Sequence, residues 1–146
     1  MSLLNVVIWL PALVAVAILL FGRTDVTARV MGLAGSVVVF LLSVGLITGF
    51  DAADPSFQFA VDKEWIPSLG ARYVLGADGI SLFLVLLTTF LTAISVVACW
   101  KEIQEKVKGF MICLLLLETG VIGVFVSLDL FLFYIFWEAM LIPMYL

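Results

Sequence analysis

The sequence has 146 residues, of which 65% are hydrophobic and only 12% are charged. The mean hydropathy of +1.31 is far higher than a soluble domain needs, so the composition predicts a membrane protein and excludes a soluble globular enzyme. A net charge of −4 argues against a nucleic-acid partner, and the absence of histidine removes the commonest metal ligand and any His-based acid–base chemistry.

Apolar runs long enough to cross a bilayer predict five transmembrane helices and an all-α, polytopic membrane fold. The expected helices cover about residues 3–21, 29–50, 79–100, 109–126 and 128–146. Pro11 lies inside the first helix, where it is expected to cause a kink that neighbouring helices can tolerate. Gly45 and Gly49 form a G-x-x-x-G spacing in the second helix, which permits close helix approach.

The polar segments divide the chain. Residues 51–78 form a connection that is too polar to span, and Asp78 is placed to cap the third helix. A charged linker at 101–108 separates a three-helix region, 1–108, from a helical hairpin, 109–146. Only residues 127–129 join the last two helices, so these must be antiparallel.

Lysine and arginine are unevenly distributed among the connections. The connections between the first and second helices (1–2) and between the third and fourth helices (3–4) carry five of them: Arg23, Arg29, Lys101, Lys106 and Lys108. The 51–78 connection carries two, Lys63 and Arg72. The positive-inside rule therefore predicts that the 1–2 and 3–4 connections are cytoplasmic, and that the 51–78 connection and the N-terminus lie outside.

Two further features bear on redox chemistry and length. Cys99 and Cys113 lie in apolar runs without a metal or haem spacing, so both are expected to be small buried hydrophobic residues. The last apolar run ends at Leu146 with no polar flank, which favours the N-terminal portion of a longer protein.

Glu138 is an acid inside the fifth predicted helix. It follows Asp129 by nine residues, which corresponds to a depth of roughly 13 Å along a helix. This depth is close to the middle of a hydrocarbon core about 30 Å thick. A carboxyl group there is expected to face protein or water rather than lipid, and it is a functional-site candidate by default.

A second acid, Glu118, lies at a similar depth in the fourth helix. A hairpin closed at residue 128 would put Glu118 and Glu138 at one level. Carboxyl groups removed from water favour the neutral form, so such acids can load and release protons near neutral pH. Tyr134, four residues before Glu138, could reach its carboxyl group, and Pro143 deprives the Ala139 carbonyl of its helical donor.

These residues also have purely structural interpretations, which compete with a role in proton transfer. Glu138 could be a structural acid neutralised by a Lys or Arg of another helix, and Glu118 could be structural or half-solvated. Asp78 and Asp129 are interpreted as caps. Tyr134 is more often a packing residue than a chemical one.

Three stretches carry a resemblance to a known family. They are LGADGISLFLVLLTTFLTA (75–93), LLLLETGVIGVFVSLDL (114–130) and LDLFLFYIFWEAMLIPMY (128–145). The last resembles the fifth transmembrane helix of the subunit M family of NADH:quinone oxidoreductase (respiratory complex I), and W-E-A-M-L-I-P-M-Y is its most specific part. The other two resemble the third helix and the fourth helix with its turn.

This resemblance implies a function. Members of the family are antiporter-like subunits of about fourteen helices that move protons, driven by quinone reduction elsewhere in the complex. It implies that Glu138 pairs with a Lys on a later broken helix and that Glu118 is a secondary acid. It also implies neighbouring membrane subunits as partners, with FMN, iron–sulfur clusters and quinone held by other subunits and none by this chain.

Two alternatives stay open. One is a subunit of a multisubunit cation/proton antiporter without a redox partner, and the other is a scaffold with no transport role. The expected location is the bacterial cytoplasmic membrane.

Overall fold

The structure, a computed structural model, describes residues 2–146 and contains five helices and one two-stranded sheet. The helices are α1 (Leu3–Phe21), α2 (Asp25–Thr48), α3 (Gly79–Ala98), α4 (Val107–Val126) and α5 (Leu130–Tyr145). The strands are β1 (Gln58–Ile66) and β2 (Ala71–Ala77), joined by a short 3₁₀ turn at Pro67–Leu69.

The helices confirm the predicted all-α membrane class. By length and composition, α1 to α4 could each span a membrane, whereas α5 is equally apolar but has only 16 residues. The chain is therefore an integral membrane protein. α1 stays one continuous helix through Pro11. The division of the chain at residue 108 stays a prediction.

Local capping explains where the helices begin. The Asp78 carboxylate accepts a hydrogen bond from the Ser81 backbone N–H at 2.7 Å, and the Ser81 hydroxyl accepts one from the Asp78 N–H, which confirms the predicted cap. The Thr24 hydroxyl caps α2 by accepting a hydrogen bond from the Thr27 backbone N–H at 3.1 Å, so that helix begins four residues before the expected Arg29.

Part of the 51–78 connection forms an antiparallel β-hairpin that the sequence analysis did not predict. β1 pairs with β2 from Gln58 opposite Ala77 to Ile66 opposite Ala71. Gly70 has a φ of 65° and closes the turn. Alternating Phe59 and Val61 followed by Pro67 and Gly70 was the available signal for a hairpin.

The hairpin closes one end of the helix bundle, here named the hairpin end. The Trp9 indole N–H donates to the Tyr73 hydroxyl at 3.0 Å, and that hydroxyl donates to the Asn5 side-chain oxygen at 2.8 Å. At the α4–α5 turn, the Leu128 N–H donates to the Val74 carbonyl at 2.9 Å. The sheet is thus fixed to α1 and to the last turn of the chain.

The opposite end, here named the loop end, carries residues 22–24 and 99–106. The Arg29 guanidinium donates to the Ile103 carbonyl at 2.7 Å and lies 6.0 Å from the centre of the Trp100 ring. Lys108 donates to the Leu19 carbonyl at 2.8 Å, near the C-terminus of α1. These contacts hold the two Lys- and Arg-rich connections together.

α4 lies at the centre of the bundle and packs against α1, α2, α3 and α5. Close approach is achieved at glycines, although not at the predicted pair. A Cβ on Gly45 would make only an ordinary contact at 3.7 Å, whereas one on Gly35 would lie 2.6 Å from Val14. Within residues 2–146, no helix approaches closely at Gly45 and Gly49, so the role of this G-x-x-x-G spacing stays a prediction. Cys99 and Cys113 are free thiols of intermediate burial rather than fully buried residues.

Candidate functional site

Glu118 is enclosed by the bundle. Its residue surface is 2% exposed, and both carboxylate oxygens are buried without a hydrogen-bond partner among residues 2–146. The neighbouring Thr119 hydroxyl is also buried and unpaired within the described residues. Burial of a carboxyl group without a partner costs free energy, so the acid is held here by the packing of its helix.

A groove between α3 and α4 includes Glu118 in its wall. Its volume is about 250 Å³, and we call it the hydroxyl groove. It is lined by Thr88, Leu91, Thr92, Ser95, Leu114, Leu117, Glu118 and Val121. Its hydroxyl groups were not predicted from the sequence, although the spacing of residues 88, 92 and 95 places them on one face of a helix.

Two glycines, Gly120 and Gly123, mark the face of α4 that meets α5. A Cβ on Gly120 would lie 2.7 Å from Met140 Cβ, and one on Gly123 would overlap the Phe136 ring. Only glycine allows α5 to approach this closely.

This packing separates the two acids, contrary to the expectation that they share one level. Successive residues are about 100° apart around a helix, so Glu118 points roughly 200° away from Gly120 and hence away from α5. The Gly120–Met140 register also brings Glu118 level with Ile142, four residues beyond Glu138, which is an offset of roughly 6 Å. The expectation was wrong because it placed the centre of the hairpin at residue 128, whereas the packed pairs Gly120–Met140 and Gly123–Phe136 are centred near residue 130.

Glu138 lies on the opposite, unpacked face of α5. It is exposed, while Phe136, two residues earlier, is only 4% exposed and packs against α4. The Tyr134 hydroxyl is a neighbour of the Glu138 carboxyl group, and Tyr134 is 57% exposed on the same face. Pro143 lies inside α5 and is buried, so it does not share that face. Glu138 and Tyr134 therefore share one exposed face of α5, and Glu118 lies apart from them inside the bundle.

A larger groove, with a volume of about 600 Å³, lies at the loop end, where Lys106, Cys113 and Pro143 contribute to its lining. Neither Glu118 nor Glu138 lines it. Within residues 2–146, three or more His, Cys, Asp or Glu side chains do not come together in a group that could hold a metal ion.

Comparison with known proteins identifies relatives. No family model matches the chain. NADH-quinone oxidoreductase subunit M of Rhodobacter capsulatus is 44% identical over 150 residues, which cover 99% of this chain and 29% of that protein. NADH-ubiquinone oxidoreductase chain 4 of Arabidopsis thaliana is 42% identical over 118 residues, covering 81% of this chain and 24% of that protein. The chain is homologous to subunit M of NADH-quinone oxidoreductase.

A solved structure agrees with this relationship. A chain of respiratory complex I from Thermus thermophilus with bound NADH matches with a TM-score of 0.77 and 28% identity, over 98% of this chain and 27% of the other. The resemblance to the subunit M family is thereby confirmed. The chain spans less than a third of the length of these two curated relatives.

Proposed function

We propose that this chain is part of a proton-translocating membrane subunit of an NADH-quinone oxidoreductase. The observation that carries the proposal is Glu138, a carboxyl group exposed on the unpacked face of an apolar helix in a subunit M homologue. An acid at this depth is costly against lipid, so this face of α5 must meet protein or water. A proton path through the membrane would surround Glu138 with both protein groups and water.

Glu138 is the proposed proton carrier at this face. Tyr134 is a polar neighbour one turn away on the same helix. The family resemblance adds a Lys on a later broken helix as the partner of Glu138, and the exposed face leaves space for such a helix. Pro143 supports the site indirectly, because it leaves the Ala139 carbonyl without its helical donor next to Glu138.

Glu118 is the proposed second acid of the path, reached from the other side of the hairpin. Since its carboxyl group faces away from α5, a proton cannot pass directly between the two acids within these residues. The two acids are therefore proposed to act in series through groups outside this chain, or on separate branches that are coupled through α4 and α5.

The proposed setting is a multisubunit complex. Neighbouring antiporter-like membrane subunits are the proposed partners. Quinone reduction in other subunits, which also hold FMN and the iron–sulfur clusters, supplies the driving force. The proposed location is the bacterial cytoplasmic membrane, with the N-terminus outside and the loop end cytoplasmic. Five of the seven Lys and Arg residues lie in the connections of the loop end or next to them, which supports this orientation.

The test is NADH-driven proton uptake in inverted membrane vesicles that contain the full-length subunit with Glu138→Gln. Glutamine keeps the size of the side chain and removes the titratable proton. We expect proton uptake to fall about tenfold or more, since a positioned proton carrier contributes on the order of 10²–10⁴-fold to a transfer rate. Glu102→Gln, an exposed acid in the 3–4 connection, is the matched control and should leave uptake unchanged. Unchanged uptake in an assembled Glu138→Gln complex would reject the proposal.

A further inference from the structure

The hydroxyl groove has no role in the site around Glu138, yet it combines two features that favour a polar occupant. Its wall includes Glu118, whose carboxylate oxygens are buried and have no partner among the described residues. It also presents the hydroxyl groups of Thr88, Thr92 and Ser95. A hydrocarbon chain in this groove would offer no hydrogen-bond partner to the Glu118 carboxyl group or to the lone pairs of these hydroxyl oxygens.

The hydroxyl groups lead from the loop end towards the acid. α3 ends at Ala98 and α4 begins at Val107, so depth can be counted from this end on both helices. Ser95 lies roughly 5 Å deep, Thr92 roughly 9 Å and Thr88 roughly 15 Å. Glu118, eleven residues into α4, lies at roughly 16 Å, the level of Thr88.

The hydroxyl groups can accept hydrogen bonds from water. The Thr88 hydroxyl donates to the Leu84 carbonyl at 2.8 Å, and the Thr92 hydroxyl donates to the Thr88 carbonyl at 3.0 Å. Their protons are thus bound to the backbone of their own helix, while their oxygen lone pairs stay available. A volume of about 250 Å³ has room for up to about eight waters at roughly 30 Å³ each.

We propose that the hydroxyl groove holds water and connects the Glu118 carboxyl group to the loop end of the bundle. The inference rests on the proposed function, because it gives the second acid its own route to the aqueous phase. A rotation of the Glu118 side chain brings its carboxylate into the groove. There a hydronium ion transfers one proton to the carboxylate and becomes water, and the reverse transfer returns the proton.

The experiment measures whether water reaches the groove. In the full-length subunit of the assembled complex, Cys99 and Cys113 are replaced by alanine, and single cysteines are introduced as Ser95→Cys, Thr92→Cys or Thr88→Cys. Membrane vesicles of both orientations are treated with a small cationic methanethiosulfonate reagent, which cannot cross the bilayer and reacts with the hydrated thiolate. NADH oxidation confirms that each variant assembles.

Two control positions sit beside the groove on the same helix. Leu87→Cys has nearly the depth of Thr88 but lies on the outer surface of α3, where Leu87 is 50% exposed. Thr89→Cys replaces a buried hydroxyl that is bonded to Ser43 of α2 at 2.8 Å. We expect the three groove cysteines to react from the loop-end side about tenfold faster than either control, because only hydrated thiols form the thiolate.

Equal reactivity of Thr92→Cys, Thr88→Cys and Leu87→Cys would overturn the proposal, since lipid or another protein segment would then fill the groove. Reaction at Ser95→Cys alone would also overturn it, because the water would stop short of Glu118. The result is independent of Glu138. Reactive groove cysteines together with normal uptake in Glu138→Gln would keep the hydrated groove and reject the translocation role. Unreactive groove cysteines together with lost proton uptake in Glu138→Gln would reject the hydrated groove and keep the translocation role.

Discussion

The two helices of the final hairpin carry the same kind of acid in opposite surroundings. α4 is surrounded by four other helices, and its Glu118 is 2% exposed. α5 packs mainly against α4, and its Glu138 is exposed on the far side. The direction in which a side chain leaves its helix, rather than its depth in the membrane, decides this difference. The surroundings of Glu118 come largely from this chain, whereas those of Glu138 come from protein or water outside it.

Replacing each acid by methionine should sharpen this comparison through effects of opposite sign. In the complete complex, Glu138→Met would leave the proposed Lys partner buried without its counter-charge, and breaking such a pair costs roughly 3–5 kcal/mol. Glu118→Met removes a buried carboxyl group that lacks a partner, which should stabilise the protein by about 1–3 kcal/mol. The midpoint of thermal unfolding of the purified complex should therefore fall for the first variant and rise for the second.

Glu102→Met serves as the control, because this acid is exposed in the 3–4 connection. Shifts of the same sign in both acid variants would show that the two acids share one environment, and the comparison would fail.

Alanine at the glycines of α4 tests what keeps the two acids apart. Gly123→Ala places a Cβ into the Phe136 ring, and overpacking of this kind costs about 1–3 kcal/mol. At Gly109 a Cβ would meet nothing within 4 Å, so Gly109→Ala should be neutral or stabilising by up to about 1 kcal/mol. Differential scanning fluorimetry of the two complexes gives the comparison. Equal midpoints would mean that α5 does not depend on close approach at Gly123.

The cap of α3 should give the smallest effect. Asp78→Ala removes the side chain that holds the Ser81 N–H, which should lower stability by about 1 kcal/mol, while Asp78→Asn should retain most of it. Hydrogen bonds from Ser81, the one from its backbone N–H being the strongest, lower the pKa of Asp78 below its ordinary 3.8.

The sign of the pH dependence follows from that lowered pKa. The contribution of the ionised cap is complete above the unfolded-state pKa and is lost as the pH falls through the folded-state pKa. Thermal unfolding of the wild type and of Asp78→Asn should therefore converge below about pH 4. A constant difference across this range would show that the Asp78 charge has no part in the cap.

The sequence was sufficient for much of the fold, for identifiable reasons. Long apolar runs predicted the positions of the helices, and Asp78 was correctly predicted to cap α3. Each of these is a local property of the chain. The directions in which Glu118 and Glu138 point could not be predicted from the sequence, because they depend on which faces of α4 the other helices occupy. The β-hairpin was missed since its charged residues masked the alternation of Phe59 and Val61.

The bond between β2 and the α4–α5 turn has a consequence for how the chain is assembled during synthesis. Val74 and Leu75 emerge from the ribosome more than fifty residues before Ser127 and Leu128, with which they pair. Contacts of such long sequence separation form late, because the intervening chain must be closed first. The edge of β2 therefore stays open while α3 and α4 enter the membrane. It closes only when the α4–α5 turn has crossed to the same side, so this contact marks the point at which α4 has completed its insertion.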